Sequence, residues 1–302
     1  MVLDIMVLAL TLNNFNCMIL QDKVALITGG SKGIGRTIVE TLARQGCRVV
    51  AISRSLDELK ILQNELNAVG LTIVIKEADV SDYEQVKKVV QFVIEKFHTI
   101  DILVNAAGVY GPIGQFDTND ICLWTKTIQI NLVGTAHCTH AVLPIMLKNK
   151  AGKIINFSGG GAVNTFPNFS SYATSKAAVV RFTETIAEEY KSYNIQINAI
   201  APGAVNTRLL DESLEAGAKM VGEKFYEKIV NQKKDGGDSP QLAADLTAFL
   251  VSDRSLNLTG KLISAKWDSW NEWNEVELER LKKSSELTLR RIDNKYFQEI
   301  IK

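Results

Sequence analysis

Proline is scarce in this chain, with five in 302 residues, and no low-complexity linker divides it. That argues against several domains and for one large domain with an extension. Histidine is scarcer: His98, His137 and His140 are all there is. His137 and His140 have i, i+3 spacing, but no Cys or carboxylate cluster accompanies them, so no metal site is expected. Four cysteines (Cys17, Cys47, Cys122, Cys138) lie apart without CxxC spacing and read as reduced thiols of a cytoplasmic protein. Net charge is lacking too: 34 basic residues balance 34 acidic ones, and nothing points to nucleic acid. The apolar run Ile5 to Leu12 is too short to cross a bilayer, and Asp4 stands where a signal peptide would carry basic charge. No membrane partner is expected. Residues 1–17 read as a disordered extension or a mis-set start, a peripheral anchor being the weaker alternative; Met18 to Lys23 is the more natural beginning. No solenoid-type repeat is present.

What is present is a rhythm of apolar runs near 23–29, 48–53, 72–76, 101–105, 153–158, 194–200 and 260–265. Stretches 55–69, 82–97, 118–147 and 172–192 between them carry helical periodicity. Repeated β-α units imply a parallel sheet covered on both faces. The first run, Lys23-Val24-Ala25-Leu26-Ile27, leads into Thr28-Gly29-Gly30-Ser31-Lys32-Gly33-Ile34-Gly35, and a helical pattern starts at Ile34. Strand, glycine turn and helix make a dinucleotide site: bare backbone approaches a pyrophosphate whose charge sits at the helix N-terminus. The spacing is GxxxGxG rather than GxGxxG, and no Gly-Lys-Ser/Thr closes a Walker loop.

Tyr172 and Lys176 stand four residues apart in Ser171-Tyr172-Ala173-Thr174-Ser175-Lys176. On a helix that spacing shares a face. A free tyrosine has a pKa of about 10. A nearby lysine cation is expected to lower it, letting the phenol exchange a proton with a substrate oxygen as hydride moves.

With these motifs in order, the chain resembles the short-chain dehydrogenase/reductase family over roughly residues 21–265. The resemblance rests on Thr28 to Gly35, Asp79-Val80, Asn105-Ala106-Ala107-Gly108, Asn131, Tyr172, Lys176, and Pro202-Gly203 with Thr207. It implies a single Rossmann-like, doubly wound α/β sheet of about seven parallel strands with helices on both faces. It implies a nicotinamide cofactor held by Gly29, Ser31, Lys32, Gly33, Ile34, Gly35, Ser53, Arg54, Asp79, Val80, Asn105, Ala106, Gly108, Tyr172, Lys176, Pro202, Gly203 and Thr207. Lys176 would bind the nicotinamide ribose, and Asn131 would hold a water linking Lys176 to solvent. The implied substrate is a small carbonyl compound or alcohol, and the implied assembly a homodimer or homotetramer.

The family serine thirteen residues before the tyrosine is missing; Gly159 stands there, in Phe157-Ser158-Gly159-Gly160-Gly161, and Pro167 argues against a gap. Ser158, one position early, is expected to swing in on the flexible glycines; Asn164, Thr165 or the substrate itself are alternative donors. The gap also leaves room for a rival reading, a cofactor-binding sensor or structural subunit with weak or no turnover.

Three further expectations follow. The second strand ends Ile52-Ser53-Arg54, with Ser53 where an NAD site carries an acid. Arg54 and Lys32, two cations with no carboxylate, suit a 2′-phosphate, hence NADP, with NAD the alternative. Residues 205–240, glycine-rich and charged, read as a substrate lid within a catalytic domain of 18–265. Residues 266–302 form an extension with Trp267, Trp270 and Trp273 at three-residue spacing and Arg290-Arg291 beyond. It is expected to pack across a neighbouring subunit; the alternative is tryptophans stacking on a nucleotide-linked or anionic sugar.

Overall fold

The computed structural model describes residues 20–291. The expected N-terminal extension 1–17, with Cys17, and the last part of the tail, 292–302, lie outside the described residues. The apolar runs form β1 (Val24–Thr28), β2 (Arg48–Ser53), β3 (Val74–Glu77), β4 (Ile102–Asn105), β5 (Gly152–Phe157), β6 (Ile195–Ala201) and β7 (Leu262–Ser264). All seven pair in parallel, in the order β3-β2-β1-β4-β5-β6-β7.

Helices cover both faces. They are α1 (Gly33–Arg44), α2 (Leu56–Ala68), α3 (Tyr83–Phe97), α4 (Ile121–Ile128), α5 (Gly134–Asn149), α6 (Ser170–Tyr190), α7 (Arg208–Val221), α8 (Glu223–Asp235), α9 (Pro240–Val251) and α10 (Glu275–Lys283). β1 shows why the strands read as unbroken apolar runs, since all of its residues are buried. Ala25 and Ile27 pack toward Ile38 and Leu42 of α1 and Leu246 and Leu250 of α9. Val24 and Leu26 face the opposite layer, with Val89 and Val93 of α3 and Val142 and Met146 of α5. A strand walled on both sides has no polar face to show water.

The chain leaves β1 toward β2 on one side and reaches β4 on the other, so the strand order reverses between β1 and β4. A crevice opens at the carboxyl ends of the strands at such a switch point. α4 runs into α5 through a π turn, Gln129–Val133. By length and composition the stretch Ile121–Asn149 could cross a membrane, but half of its most apolar window is buried. It packs on α3 and α6 as a core helix.

Segment 205–240 forms α7 and α8, with a break at Gly217 (φ 77°, ψ 164°). Its two ends are tied together. Ala204 N–H donates to Asp238 Oδ2 (2.7 Å), Asp238 N–H donates to Ala204 O (3.0 Å), and Lys266 pairs with Asp238 (2.6 Å).

The described part of the tail packs on its own chain. Leu278 and Leu281 of α10 are buried in the main core. Leu262 N–H of β7 donates to Leu287 O (2.7 Å), and Lys261 Nζ donates to Ser284 O and Glu286 O (2.7 and 3.0 Å). Trp270 and Trp273 lie against Phe249 of α9, and Trp270 Nε1 donates to Ala265 O (3.1 Å). Of the three, Trp267 alone stands open, 78% exposed, so the tryptophans make no stacking row.

Candidate active site

The glycine turn is shaped by close approach. Gly29 and Gly33 have φ of +66° and +53°, a region that side chains avoid. A Cβ on Gly29 would sit 2.8 Å from the Ala107 backbone. One on Gly35 would run into the Gly29 carbonyl, 2.8 Å from its carbon. Gly35→Ala is therefore expected to open the turn, destabilising the protein by about 1–3 kcal/mol and weakening nucleotide binding. Thermal melts with and without cofactor check both. Thr28 Oγ1 joins the turn to the next motif by accepting from Ala106 and Ala107 N–H (3.1 Å each). No side chain caps α1 and its first turn holds no acid. Its N–H groups thus face the crevice free for an anion.

A cleft of about 310 Å³ follows the turn. Gly29, Ser31, Lys32, Gly33, Ile34 and Gly35 line one wall, Ser53 and Arg54 the end of β2, and Asp79 and Val80 the end beyond β3. Ala106 and Gly108 line the β4 end, and Thr207 reaches over from the start of α7, its Cγ2 being 3.4 Å from where a Gly33 Cβ would stand. Tyr172 and Lys176 lie beyond the inner end: a Cβ on Gly108 would be 3.4 Å from Lys176 Nζ. Backbone freed of side chains, an uncapped helix start and polar ends fit a dinucleotide.

Besides Tyr172 and Lys176, three more expected cofactor residues do not line the cleft. Asn105 is buried and donates to Asn156 Oδ1 (2.9 Å) and Thr139 Oγ1 (3.3 Å), cross-bracing the sheet. Pro202 and Gly203 shape the loop leaving β6; a Gly203 Cβ would sit 2.8 Å from Asp238 Oδ2.

Asn131 sits in the π turn, fully buried. Its Oδ1 accepts from Val109 N–H and its Nδ2 donates to Val109 O and Ser175 Oγ (2.9 Å each). The side chain pins the loop after β4 against α6. Lys176 Nζ donates to Phe157 O (2.7 Å). Tyr172, its hydroxyl without a hydrogen bond among the described residues, lies edge-on to Tyr110 (4.6 Å between centroids).

The electrostatics differ from the expectation. Burial pushes the Tyr172 phenol well above its ordinary value, with Tyr110 adding to the rise. Burial also pulls Lys176 down to about 8. Lys176 Nζ is 5.7 Å from the Tyr172 ring centroid, so loss of water outweighs the lysine's pull on the phenol.

Ser158 is a second correction. Its hydroxyl donates to Lys176 O (3.3 Å) and its N–H to Ile200 O (2.9 Å), inside the protein. It does not swing toward Tyr172, because strand pairing holds the backbone before the glycines begin. Asn164 and Thr165 are exposed. Gly159 does face the phenol: a Cβ there would overlap the Tyr172 hydroxyl and stand 3.1 Å from Cζ.

A third correction concerns the β2 end, expected to hold no carboxylate. Glu58, from the first turn of α2, lines the cleft. It pairs with Lys32 (2.5 Å) and accepts from Ser31 Oγ (3.0 Å), and Lys32 first, then Ser31, hold its pKa down against burial. Arg54 has no partner among the described residues and is exposed. Arg208, Leu209 and Glu212 of α7 also line the cleft and carried no motif.

The histidines are engaged elsewhere. His137 Nδ1 is 3.0 Å from Val80 O, and His140 Nδ1 is 2.6 Å from Tyr83 Oη.

A family model described as short chain dehydrogenase matches residues 23–217. The levodione reductase of Leifsonia aquatica is 35% identical over 241 residues, 77% of this chain and 88% of that protein. Among solved structures, an NAD+-bound xylitol dehydrogenase is 28% identical with a TM-score of 0.76, covering 81% of this chain and 97% of that one. A single-residue variant of the actinorhodin polyketide ketoreductase with NADPH is 27% identical with a TM-score of 0.75, covering 80% and 95%.

Proposed function

Because the chain belongs to the short-chain dehydrogenase/reductase family, we propose that it interconverts a secondary alcohol and a ketone by hydride transfer, with Tyr172 as the proton donor and acceptor. The carrying observation is the Tyr172 hydroxyl, unbonded among the described residues, one helical turn from Lys176, whose Nζ is 3.4 Å from where a Cβ on Gly108 of the glycine-turn cleft would stand. Members of this family use a nicotinamide cofactor, which when bound supplies or accepts hydride at carbon.

The chain's own groups do the rest. The backbone of Gly29 to Gly35 and the start of α1 bind the pyrophosphate. A buried phenol with a raised pKa stays protonated at neutral pH, so it acts as the acid toward a ketone oxygen. Lys176 adjoins the nicotinamide end and borders the Gly108 backbone. Asn131 positions the Val109 loop rather than meeting substrate. On the far side of Tyr172 lie Tyr110, Phe166, Phe169 and Phe225, the last from α8. The α7–α8 hairpin thus serves as a lid that excludes water.

The cofactor of choice is NADP(H), carried by Arg54. A charge-assisted hydrogen bond contributes about 1.5–3 kcal/mol, and solvent exposure puts Arg54 at the low end. NADPH is expected to bind roughly tenfold more tightly than NADH. Arg54→Ala should remove most of that difference in a calorimetric titration; equal wild-type affinities would defeat the assignment. Free Cys47, Cys122 and Cys138 suit a cytoplasmic enzyme, and exposed Phe116, Ile121 and Leu123 offer an apolar face for a homodimer or homotetramer. Incubating the protein with a panel of ketones and polyols, while following oxidation of NADPH or reduction of NADP, tests the activity. No turnover across the panel, with tight cofactor binding, would favour the non-catalytic alternative.

A further inference from the structure

Ser55-Leu56-Asp57-Glu58 is a capping-box sequence at the start of α2. In such a box the serine accepts from the glutamate's N–H, and the glutamate side chain returns to the serine N–H. Half of this is present: Ser55 Oγ accepts from Glu58 N–H (3.4 Å). The other half is not. Ser55 N–H donates to Ser53 Oγ instead (3.3 Å). The Glu58 carboxylate is released from the helix and turns into the cleft, onto Ser31 Oγ and Lys32 Nζ. Ser53 and Ser31 hydroxyls lie 3.0 Å apart, so serines, lysine and glutamate form one network at the end of β2.

We propose that Glu58 sets the cofactor preference by competing with a ribose 2′-phosphate for Ser31 and Lys32. This deepens the NADP(H) assignment and rests on it. A 2′-phosphate reaching for Arg54, Ser31 and Lys32 must break the Lys32–Glu58 pair and lie beside a carboxylate. A ribose 2′-hydroxyl meets no such opposition and can donate to Glu58. The glutamate therefore narrows the advantage that Arg54 confers, and the site takes both cofactors. Placement by a diverted cap, rather than by the last residue of β2, puts the acid on the neighbouring helix, where a serine at the strand end allows it.

Glu58→Gln is the test. The amide keeps the side-chain length and its hydrogen-bonding to Ser31, and a thermal melt checks that α2 is intact. NADPH and NADH are titrated into both proteins by calorimetry. The NADPH:NADH affinity ratio should rise about tenfold in the variant, as expected for removing one competing charge. A ratio unchanged or lowered overturns the proposal. The wild-type titration separates this from the cofactor assignment: if NADPH and NADH bind equally there, Arg54 is at fault, and the change of ratio on Glu58→Gln still decides the role of the glutamate.

Discussion

Tyr172→Phe is expected to lower kcat by about two to four orders of magnitude, the usual contribution of a positioned general acid, while leaving cofactor affinity nearly intact. The removed atom is the hydroxyl alone. It makes no hydrogen bond among the described residues, and the ring keeps its edge contacts with Tyr110 and Phe166. Folding should therefore not suffer. The cleft residues that would hold the dinucleotide, Gly29 to Gly35, Ser53, Arg54, Asp79 and Val80, are untouched. Stopped-flow measurement of hydride transfer, with fluorescence titration of cofactor, reads the two effects separately. Turnover near wild type in the variant would remove Tyr172 from the mechanism.

Gly159→Ala is expected to damage activity although it adds only one methyl group. The new Cβ would overlap the Tyr172 hydroxyl. The ring cannot retreat freely, because Tyr110 and Phe166 wall it at centroid distances of 4.6 and 6.3 Å. A phenol displaced by about 1 Å should cost roughly tenfold to a hundredfold in kcat/KM. In this reading the phenol occupies the ground that the family's serine would take, and one group both polarises and protonates the carbonyl oxygen. Ser158→Ala is the control. It removes only a bond to the Lys176 carbonyl, so its kcat/KM should stay close to wild type. Full activity in Gly159→Ala would mean that Tyr172 works from another rotamer.

Local pattern alone was enough for most of the sheet and for the glycine turn. The inner strands β1, β4, β5 and β6 are buried on both faces, so they read as continuous apolar runs, and β1, β2 and β5 fall within a residue of where those runs lie. The turn from Thr28 to Gly35 is legible because glycine is demanded by backbone contacts, as the Gly35 approach to Gly29 shows. Tyr172 and Lys176 are legible because helical spacing brings i and i+4 to one face. Glu58 was not legible, because its expected partner is the Ser55 N–H and only the proximity of Ser53 diverts it. The direction of Ser158 depends on the pairing of β5 with β6, which sequence spacing does not express. Where the tail packs on its own chain depends on the apolar edge that α9 and β7 present to it. The phenol's proton affinity was decided by burial, a sum over every neighbour that excludes water, against one lysine that the four-residue spacing singled out. Backbone demands and helical phase are written in neighbouring residues, whereas solvation and rerouted hydrogen bonds are properties of the packed whole.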